Sequence, residues 1–456
     1  MSAPPSRGRS RWPLLVFCAA VLVVLAWFFG DRLLETWRQW RRESSPLPEP
    51  RQRVQLTLPP VQPTDWPQWR GPHRDGISAE KGLLPVWPAG GPKLLWTAEN
   101  LGAGYSAPAV VGGKVFLPGT RDDVEYLFVL DSQTGQVEGE AALGHRFPNN
   151  WGDGPRGTPT LDGNRLYALS GSGDLMCLDL TTGNALWRKR IYQDFGGQMP
   201  QWGCGESPLV DGDRVLCTPG GPRGTVVALH KMTGDLLWQS TGLTDLAGYS
   251  SLIPAEIGGV RQYVQMTFHH VVGLAANDGR LLWKFAREGP NAPVPTPIIH
   301  NDHVYVTSGY GAGCHLIKIT RQGETFTAEQ VYASKNLSNH HGGVVRLGEH
   351  LFGYADNRGW VCQQLLTGEL LWRERRKLSK GSLTAADGKL FCYGEEDGTL
   401  VVIEASAQGW QEKGRFTIPR QSALPRRSGG IWTHPVIADG KLYLRDQELL
   451  FCYQLR

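Results

Sequence analysis

Short apolar runs alternate with polar turns along most of the chain, and one pattern of small, polar and aromatic positions recurs. Each copy begins with a small residue, continues to Thr-Gly or Asp-Gly, and ends in Trp. Clear copies are residues 177–187, 228–238, 273–283 and 362–372, a weaker copy is 129–139, and degenerate copies lie near 317–331 and 403–416. Short strands joined at a glycine turn are typical of β-hairpins. The pattern therefore predicts an all-β fold.

A second pattern accompanies these copies. It consists of a start similar to Ser-Pro or Thr-Pro, an apolar strand, a polar glycine turn and another strand. Eight such units begin at Tyr105, Gly157, Glu206, Tyr249, Val294, Gly342, Gly381 and Thr433. Their spacing of about 45 residues is that of a propeller blade built from four short strands. We predict an eight-bladed β-propeller over residues 65–456.

The two ends of the repeat region complement each other. The last unit reaches Arg456 without a Gly-x-x-x-Trp strand, whereas residues 92–96 form a Leu-Leu-Trp strand with no unit before it. We expect a strand near residues 92–98 to complete the last blade, because this closure pairs strand edges that would otherwise be exposed. The recurrent Gly and Trp residues then have structural roles, as hairpin turns and as side chains packed on neighbouring blades.

An apolar segment precedes the repeats. Residues 12–30 carry no charge and are numerous enough to form a transmembrane helix. A cleaved signal peptide is the alternative, but the run ends in Trp-Phe-Phe-Gly without an A-x-A-like cleavage site, which favours an uncleaved anchor. Residues 1–11 would be a basic tail and residues 31–64 a Pro- and Arg-rich linker. Long domains translocate largely regardless of charge, so we expect an extracytoplasmic, periplasmic propeller.

The distribution of charge argues against a nucleic-acid surface. The formal net charge is +4, but arginines before residue 54 carry the basic excess and leave the propeller near neutrality. Because the cysteines form no C-x-x-C, Cys-Cys or C-x-x-C-H motif, we expect no haem and assign no metal site. Cys177, Cys362 and Cys452 occupy the small position of the repeat, which predicts buried strand residues. A disulfide remains an alternative for the others, Cys204, Cys217, Cys314 and Cys392.

Residues at the starts of innermost strands line the mouth of a propeller channel, where ligands and partners can reach the fold. The candidates for this position are Trp151, Arg156, Trp202, Glu206, His340, His341, Lys380, Trp432 and His434. Together they combine acid, base and aromatic groups. The alternative is that they form only interblade hydrogen bonds and aromatic packing. We assign no catalytic residue and no metal ligand.

The repeat resembles that of the pyrroloquinoline quinone (PQQ)-like β-propeller proteins, whose blades carry the pattern A-x-D-x-x-T-G-x-x-x-W. Asp179, Thr182, Gly183 and Trp187 match this pattern. The chain is especially similar to a planctomycete membrane-anchored group, through residues 65–76 (DWPQWRGPHRDG), 340–343 (HHGG), 380–382 (KGS), 434–437 (HPVI) and 440–445 (GKLYLR). The resemblance covers about residues 65–456 and implies the propeller fold.

The resemblance implies more than one function, because this propeller serves both quinoprotein dehydrogenases and the outer-membrane assembly propeller lipoprotein, which is not an enzyme. In the dehydrogenases, the site has a ring of adjacent cysteines, a tryptophan floor, calcium held by Glu and Asn or Asp, and an Asp base. This chain has no Cys-Cys, and Glu206, Asn150 and Trp202 or Trp432 would imitate only parts of such a site.

We therefore expect a membrane-tethered, non-catalytic binding or scaffold propeller that holds another protein of the cell envelope. A PQQ- and calcium-dependent oxidoreductase is one alternative. A binder of carbohydrate or another small ligand is the other.

Overall fold

Eight antiparallel sheets follow one another along residues 46–287, 292–426 and 428–456, the part of the chain that the computed structural model describes. Each sheet is a meander of four strands, and one of them gains an additional short strand. The first strands of several neighbouring blades contact one another, which places these strands innermost, around a central channel. The arrangement confirms the predicted eight-bladed β-propeller.

Two strands precede the blades, β1 (Ile77–Ser78) and β2 (Leu94–Ala98). Blade 1 comprises β3 (Ala109–Val111), β4 (Lys114–Arg121), β5 (Val124–Asp131) and β6 (Val137–His145). Blade 2 comprises β7 (Thr160–Asp162), β8 (Arg165–Leu169), β9 (Asp174–Asp179) and β10 (Asn184–Arg190), which the short helix α1 (Ile191–Asp194) follows. Blade 3 comprises β11 (Leu209–Asp211), β12 (Arg214–Cys217), β13 (Val227–His230) and β14 (Leu236–Gln239). Blade 4 comprises β15 (Ile253–Ile257), β16 (Val260–Met266), β17 (His270–Ala275) and β18 (Leu281–Ala286).

Blade 5 comprises β19 (Ile298–His300), β20 (His303–Ser308), β21 (Gly313–Gln322) and β22 (Thr325–Ser334). Blade 6 comprises β23 (Val344–Leu347), β24 (His350–Ala355), β25 (Gly359–Gln364) and β26 (Leu370–Glu374). Blade 7 comprises β27 (Gly381–Ala386), β28 (Lys389–Gly394), β29 (Thr399–Glu404) and β30 (Glu412–Thr417), with β1 added beside β27. Blade 8 comprises β31 (Val436–Ala438), β32 (Lys441–Asp446) and β33 (Leu449–Gln454), with β2 as its fourth strand.

The repeated Gly and Trp residues join adjacent blades. Gly234 has a φ of +72° in the hairpin between β13 and β14. The ring of Trp187, from blade 2, lies against the place that a Cβ of Gly234 would take. The indole of Trp187 also donates a hydrogen bond of 3.0 Å to the carbonyl of Lys231. The glycine is therefore needed for the left-handed turn and also as the platform for the tryptophan of the preceding blade.

Strand β2 completes the last blade by pairing antiparallel with β33, with Trp96 opposite Cys452. This is the position that the sequence analysis expects for the closing strand. The side chain of Trp96 then packs on Gly135 of blade 1 and donates a hydrogen bond of 3.1 Å to Ser132 O. The ring is thus closed by a sheet that contains both ends of the propeller.

Part of the expected linker packs against the propeller. Val54 is 1% exposed and lies against Gly139 of blade 1 and Gly183 of blade 2. Leu56 N donates to Leu180 O over 2.7 Å. The side chains of Val54 and Leu58 also join the apolar core of blades 1 and 2, where they gain free energy by leaving water. The segment from Glu49 onward belongs to the same unit as the blades.

Residues 65–78, here called the plug, lie in the central channel. Trp66 exchanges two backbone hydrogen bonds with Val110 of blade 1, while Arg70 Nη2 donates over 2.6 Å to Val344 O of blade 6. Further plug contacts reach Ser207 before blade 3, Thr296 before blade 5 and Ala385 in blade 7. Contacts with so many innermost strands place the plug across the channel. Residues 65–76, which carry part of the family resemblance, are therefore channel residues.

No helix in the described part of the chain is long and apolar enough to span a bilayer. The predicted anchor at residues 12–30 and the basic tail at residues 1–11 lie outside the described residues.

The cysteines within the described residues are all free and buried. Cys177, Cys362 and Cys452 are 0% exposed in the blade cores, as the repeat predicts. Within the described residues no disulfide forms among Cys204, Cys217, Cys314 and Cys392. All four thiols are free and buried, although Cys204 and Cys217 share one apolar cluster.

Candidate ligand-binding pocket

The loops that lead into the first strands meet at one end of the channel, here called the mouth. They enclose a pocket of about 150 Å³. Its walls are mainly apolar and carry the aromatic residues Trp69, Tyr105, Trp151, Trp202, Tyr249, Tyr310 and Trp432. Most of these residues precede a first strand, whereas Trp69 belongs to the plug and Tyr310 follows β20. The blade repeat therefore brings together side chains from distant parts of the chain.

The aromatic rings of the walls contact one another. The rings of Trp151 and Trp432 are stacked with centroids 6.2 Å apart, and Tyr105 lies 5.2 Å from Trp432. Trp202 and Tyr249 form another pair at 5.5 Å. Rings in such contact present flat apolar faces and hold each other in position. The walls are thus suited to a group that stacks on aromatic rings.

Arg156 is the arginine of the pocket wall. Its guanidinium donates to Gly152 O over 3.0 Å and to Gly154 O. It also lies 5.0 Å from the ring centroid of Phe147, a distance that allows a cation–π contact. Burial lowers the pKa of Arg156. The side chain is therefore held by backbone carbonyls and an aromatic ring rather than extended into the pocket.

Lys380 connects an aspartate to a histidine of the pocket wall. Its Nζ lies 3.0 Å from Asp356 Oδ1 and donates to His340 Nδ1 over 2.9 Å. Because Nδ1 accepts this hydrogen bond, the proton of the neutral His340 ring is assigned to Nε2. Burial, together with the neighbouring His341 and Lys380, lowers the pKa of His340 to about 2. His340 is therefore neutral at pH 7, and Asp356 balances the charge of Lys380.

Glu395 contacts both His341 and Trp432. Its Oε2 lies 3.0 Å from His341 Nε2 and accepts a hydrogen bond of 2.9 Å from Trp432 Nε1. Burial alone would raise the pKa of Glu395, but its contacts with His341, Lys380 and Trp432 lower it. Burial lowers the pKa of His341, and Glu395 opposes this only in part. The carboxylate is thus charged, and it orients a neutral imidazole and an indole.

His434 lies between the pocket and the plug. Its Nε2 donates to His341 O over 3.0 Å, and its ring meets Trp69 edge-on at 4.8 Å. Burial and the charge of Arg70 lower the pKa of His434 to about 3. The three histidines of the site are therefore neutral hydrogen-bonding groups at pH 7.

The structure brings together most of the candidates that the sequence analysis places at the mouth. The residues that line the pocket are Trp151, Arg156, Trp202, His340, His341, Trp432 and His434. Lys380 lies behind His340, which it contacts directly.

Glu206 does not line the pocket, although it precedes β11 as expected. The side chain turns into blade 3 and is 4% exposed. Its Oε1 accepts a hydrogen bond of 2.5 Å from Thr218 N, and its Oε2 has no hydrogen-bond partner within the described residues. Burial raises the pKa of Glu206 to about 7. The backbone donor of Thr218 explains why the carboxyl group faces the blade and not the mouth.

Other residues of the site were not predicted from the sequence. Asp356 and Glu395 each come directly after the second strand of a blade, where blades 2 and 5 have Ser170 and Gly309. An acidic residue at that position was the signal that could have found them. Trp69 was missed because it comes from the plug, which has no counterpart in the repeat.

Comparison with known proteins assigns the propeller to a family. The sequence profile described as outer membrane protein assembly factor BamB matches residues 129–374, which is more than half of the chain. The protein belongs to this family of PQQ-like β-propellers. The resemblance found in the repeats is thereby confirmed.

The similarity to individual relatives is more limited. The outer membrane protein assembly factor BamB of Kangiella koreensis is 27% identical over 162 residues, which cover 34% of this chain and 35% of that protein. The match thus spans about a third of the relative's length.

Solved structures share the fold at low sequence identity. BamB from Moraxella catarrhalis has a TM-score of 0.55 at 15% identity, covering 80% of this chain and 99% of its own. Quinohemoprotein alcohol dehydrogenase from Comamonas testosteroni has a TM-score of 0.57 at 10% identity, covering 86% and 80%. At these identities the likeness establishes the fold alone.

The likeness to a quinoprotein requires the pocket to be compared with PQQ and calcium. Calcium takes about six to eight oxygen ligands, many of them from carboxylates. The described residues that line the pocket include no carboxylate. Behind the wall, Asp356 is paired with Lys380, and Glu395 contacts His341 and Trp432. This set of side chains suits a flat ring but does not fit a calcium ion bound beside it.

Proposed function

We propose that the protein is a non-catalytic binding propeller that holds another protein of the cell envelope at the mouth of its channel. The observation that carries this proposal is the exposure of aromatic side chains at the pocket. Trp151 is 39% exposed and Tyr310 is 50% exposed. Tryptophan, tyrosine and arginine dominate the binding energy of protein interfaces when a partner covers them. The mouth would receive an apolar or aromatic side chain of the partner.

The aromatic rings of the pocket walls are held in fixed positions, and this supports binding at the mouth. Trp151 is stacked on Trp432, and Trp432 is fixed by Glu395. Rings that are already ordered lose little conformational entropy when a partner binds. The family description, an assembly factor of outer membrane proteins, supports a protein partner in the envelope.

The location is part of the same proposal. The uncharged residues 12–30 would tether the propeller to the membrane, and the propeller would lie outside the cytoplasm. In that position the mouth could reach periplasmic or membrane partners. The proposal includes neither haem nor nucleic acid.

Site-specific photocrosslinking in cells of the native host tests the proposal. A photoreactive phenylalanine analogue would replace Trp151 in the full-length chain. The matched control is the same replacement at Leu237, a 43% exposed residue on β14. We expect a crosslinked product of defined mass from position 151 and none from position 237. The absence of a product at position 151, or the same product at both positions, would contradict binding at the mouth.

A second candidate function is the binding of a small stacking ligand, either PQQ or a carbohydrate, in the same pocket. The stacked pair Trp151–Trp432 and the pair Trp202–Tyr249 favour it, because sugars and flat rings both pack on aromatic faces. Quenching of tryptophan fluorescence by PQQ, with and without calcium, and by simple sugars would test this. Saturable quenching that Trp432→Ala abolishes would support this candidate, whereas no saturable change would exclude these probes.

A further inference from the structure

A second cavity lies deeper in the channel, beside the plug. It has a volume of about 180 Å³ and adjoins the innermost strands of blades 4, 5 and 6. Its charged lining residues within the described chain are Arg70, Arg74, Asp75 and Arg346. His73 and Thr296 add further polar groups to its wall. We call this space the plug cavity.

The two plug arginines are buried with unused donors. Arg70 is 4% exposed, and its Nη2 donates to the carbonyls of Asp75 and Val344 over 2.8 and 2.6 Å. Its Nε is buried and has no acceptor within the described residues. The hydrogen bonds that Arg70 does form end on neutral backbone oxygens. Its charge is therefore solvated mainly by backbone dipoles, and the nearby Asp75 carboxylate forms no ion pair with it.

Arg74 has the same arrangement. It is 2% exposed, and its Nη2 donates to Ser207 O over 2.9 Å. Its Nη1 donates to Gln68 Oε1 and Pro208 O over 3.0 and 3.2 Å. Its Nε also lacks an acceptor within the described residues. No carboxylate in the described part of the chain forms an ion pair with Arg70 or Arg74.

The charges around the plug cavity do not balance. Arg346 adds a third cation, and the partner of its Nη1 among the described residues is Gly348 O, at 2.9 Å. Against three arginines stand two acids. Asp75 Oδ1 already accepts from Ile77 N over 2.9 Å, and Glu206, whose charge acts on Arg74, has a pKa of about 7 and is therefore only partly ionised at pH 7. Burial lowers the pKa of Arg70 to about 10 and that of Arg74 to about 9, so both stay charged at pH 7. Buried charge of one sign is costly unless a counter-charge approaches it.

We propose that the plug cavity binds a small oxyanion of double charge, the chemistry shared by phosphate and sulfate. Guanidinium groups present N–H donors in a planar fork that matches the oxygens of such anions. Arg346 is the half-buried contact, while Arg70 and Arg74 supply the field of the buried wall. The site is distinct from the aromatic pocket, because the described residues that line the two cavities do not overlap.

Calorimetric titration of the purified full-length chain in mild detergent tests this site. Inorganic phosphate and sulfate would be titrated at constant ionic strength, with acetate as the singly charged control. We expect saturable binding of one phosphate or sulfate per chain and much weaker binding of acetate. Arg346→Gln should weaken phosphate binding about tenfold, because one charge-assisted hydrogen bond is lost.

The matched control is Arg373→Gln, the same change at an exposed residue on β26 of the same blade. It should leave phosphate binding unchanged, and both variants should keep the thermal unfolding midpoint of the wild type in phosphate-free buffer. Three results would overturn the proposal: no saturable binding by the wild type, equal binding of acetate, or equal effects of the two variants. The first would show that the arginines serve only to hold the plug, and the second that the cavity does not select a doubly charged oxyanion.

Discussion

The guanidinium of Arg70 lies against the backbone of Gly343. A Cβ placed on Gly343 would meet Arg70 Nη1 and would approach His434 Cε1 to 2.9 Å. Gly343 also has a φ of +74°. The plug and the His-His-Gly-Gly segment are far apart in sequence, yet here they form one contact below the aromatic pocket. A side chain at position 343 would disturb both the plug and the pocket floor.

Replacing Gly343 with alanine should therefore lower the free energy of unfolding by about 3 kcal/mol, from left-handed strain together with the collision with Arg70. Gly348→Ala is the matched control. Gly348 has a φ of +58° in the same blade, but its Cβ would have no atom within 4 Å. That variant should lose only the strain energy, about 1 kcal/mol. Denaturant unfolding followed by circular dichroism would compare them, and equal losses would refute the Arg70 contact.

The blades could be predicted from sequence because each obeys the same local rule. Gly234 must turn the hairpin and support Trp187, so the two residue types recur at a constant spacing. The same regularity locates the loops before the first strands, which is why Trp151 and His341 could be assigned to the mouth. The repeat thus predicts where a residue lies in the propeller when the other blades have an equivalent residue.

Residues without a counterpart could not be placed in this way. The plug precedes the repeats, and its arginines reach carbonyls of blades that lie far along the chain, as Arg70 does with Val344. For Glu206 the position in the repeat was predicted correctly, but the direction of its side chain was not. The carboxyl group turns into the blade, where it accepts a hydrogen bond from Thr218 N. Whether a side chain faces the pocket or the blade interior depends on individual hydrogen bonds, which the sequence repeat does not predict.

Acid should destabilise the protein partly through His434. The pKa of folded His434 is about 3, below its ordinary value of 6.5. Between these values the unfolded chain binds the proton, so stability present above pH 6.5 is lost as the pH falls. At pH 5 the loss is about 2 kcal/mol. His434→Gln keeps a nitrogen donor for His341 O but does not titrate, so it should lose about 2 kcal/mol less than the wild type between pH 7 and pH 5.

Urea unfolding at the two pH values would measure this difference. His350→Gln is the control, since His350 is a partly exposed residue on β24. It should follow the wild type. If His434→Gln showed the same acid loss as His350→Gln, the buried neutral state of His434 would be wrong.

A rise in pH should also destabilise the protein, in this case through Glu206. Burial raises the pKa of its carboxyl from 4.5 to about 7. The folded state then holds a proton that the unfolded state releases, so this stability is present below pH 4.5 and is lost as the pH rises through 7. The wild type should lose about 3 kcal/mol between pH 5 and pH 8.5 from this group.

Glu206→Gln should remove that pH dependence, because the amide oxygen can still accept from Thr218 N and the group cannot ionise. Glu256→Gln, at an exposed position on β15, provides the control. Unfolding midpoints at pH 5 and pH 8.5 would show a smaller difference for Glu206→Gln than for Glu256→Gln. Equal differences would mean that Glu206 ionises in the folded state as easily as in the unfolded state.

Closure of the ring depends on Trp96 in β2. Trp96 is 9% exposed, packs on Gly135 and donates to Ser132 O of the next blade. Trp96→Ala should lower the free energy of unfolding by about 3 to 5 kcal/mol, the usual loss for a large buried aromatic residue. It should also release β2 from β33, which hydrogen exchange would detect as faster exchange of the Gln454 amide, the donor of a 2.9 Å hydrogen bond to Lys93 O beside β2.

Leu94→Ala is the control that shows whether truncating any side chain of β2 has the same effect. Leu94 lies on the same strand but is 37% exposed, so its replacement should change stability by less than about 1 kcal/mol. It should leave exchange at Gln454 unchanged, since the backbone pairing of β2 with β33 is kept. If Trp96→Ala unfolded like Leu94→Ala, the contact with blade 1 would add no stability, and backbone pairing alone would close the ring. A large loss confined to Trp96→Ala would instead show that side-chain packing between blades 8 and 1 holds the two ends of the propeller together.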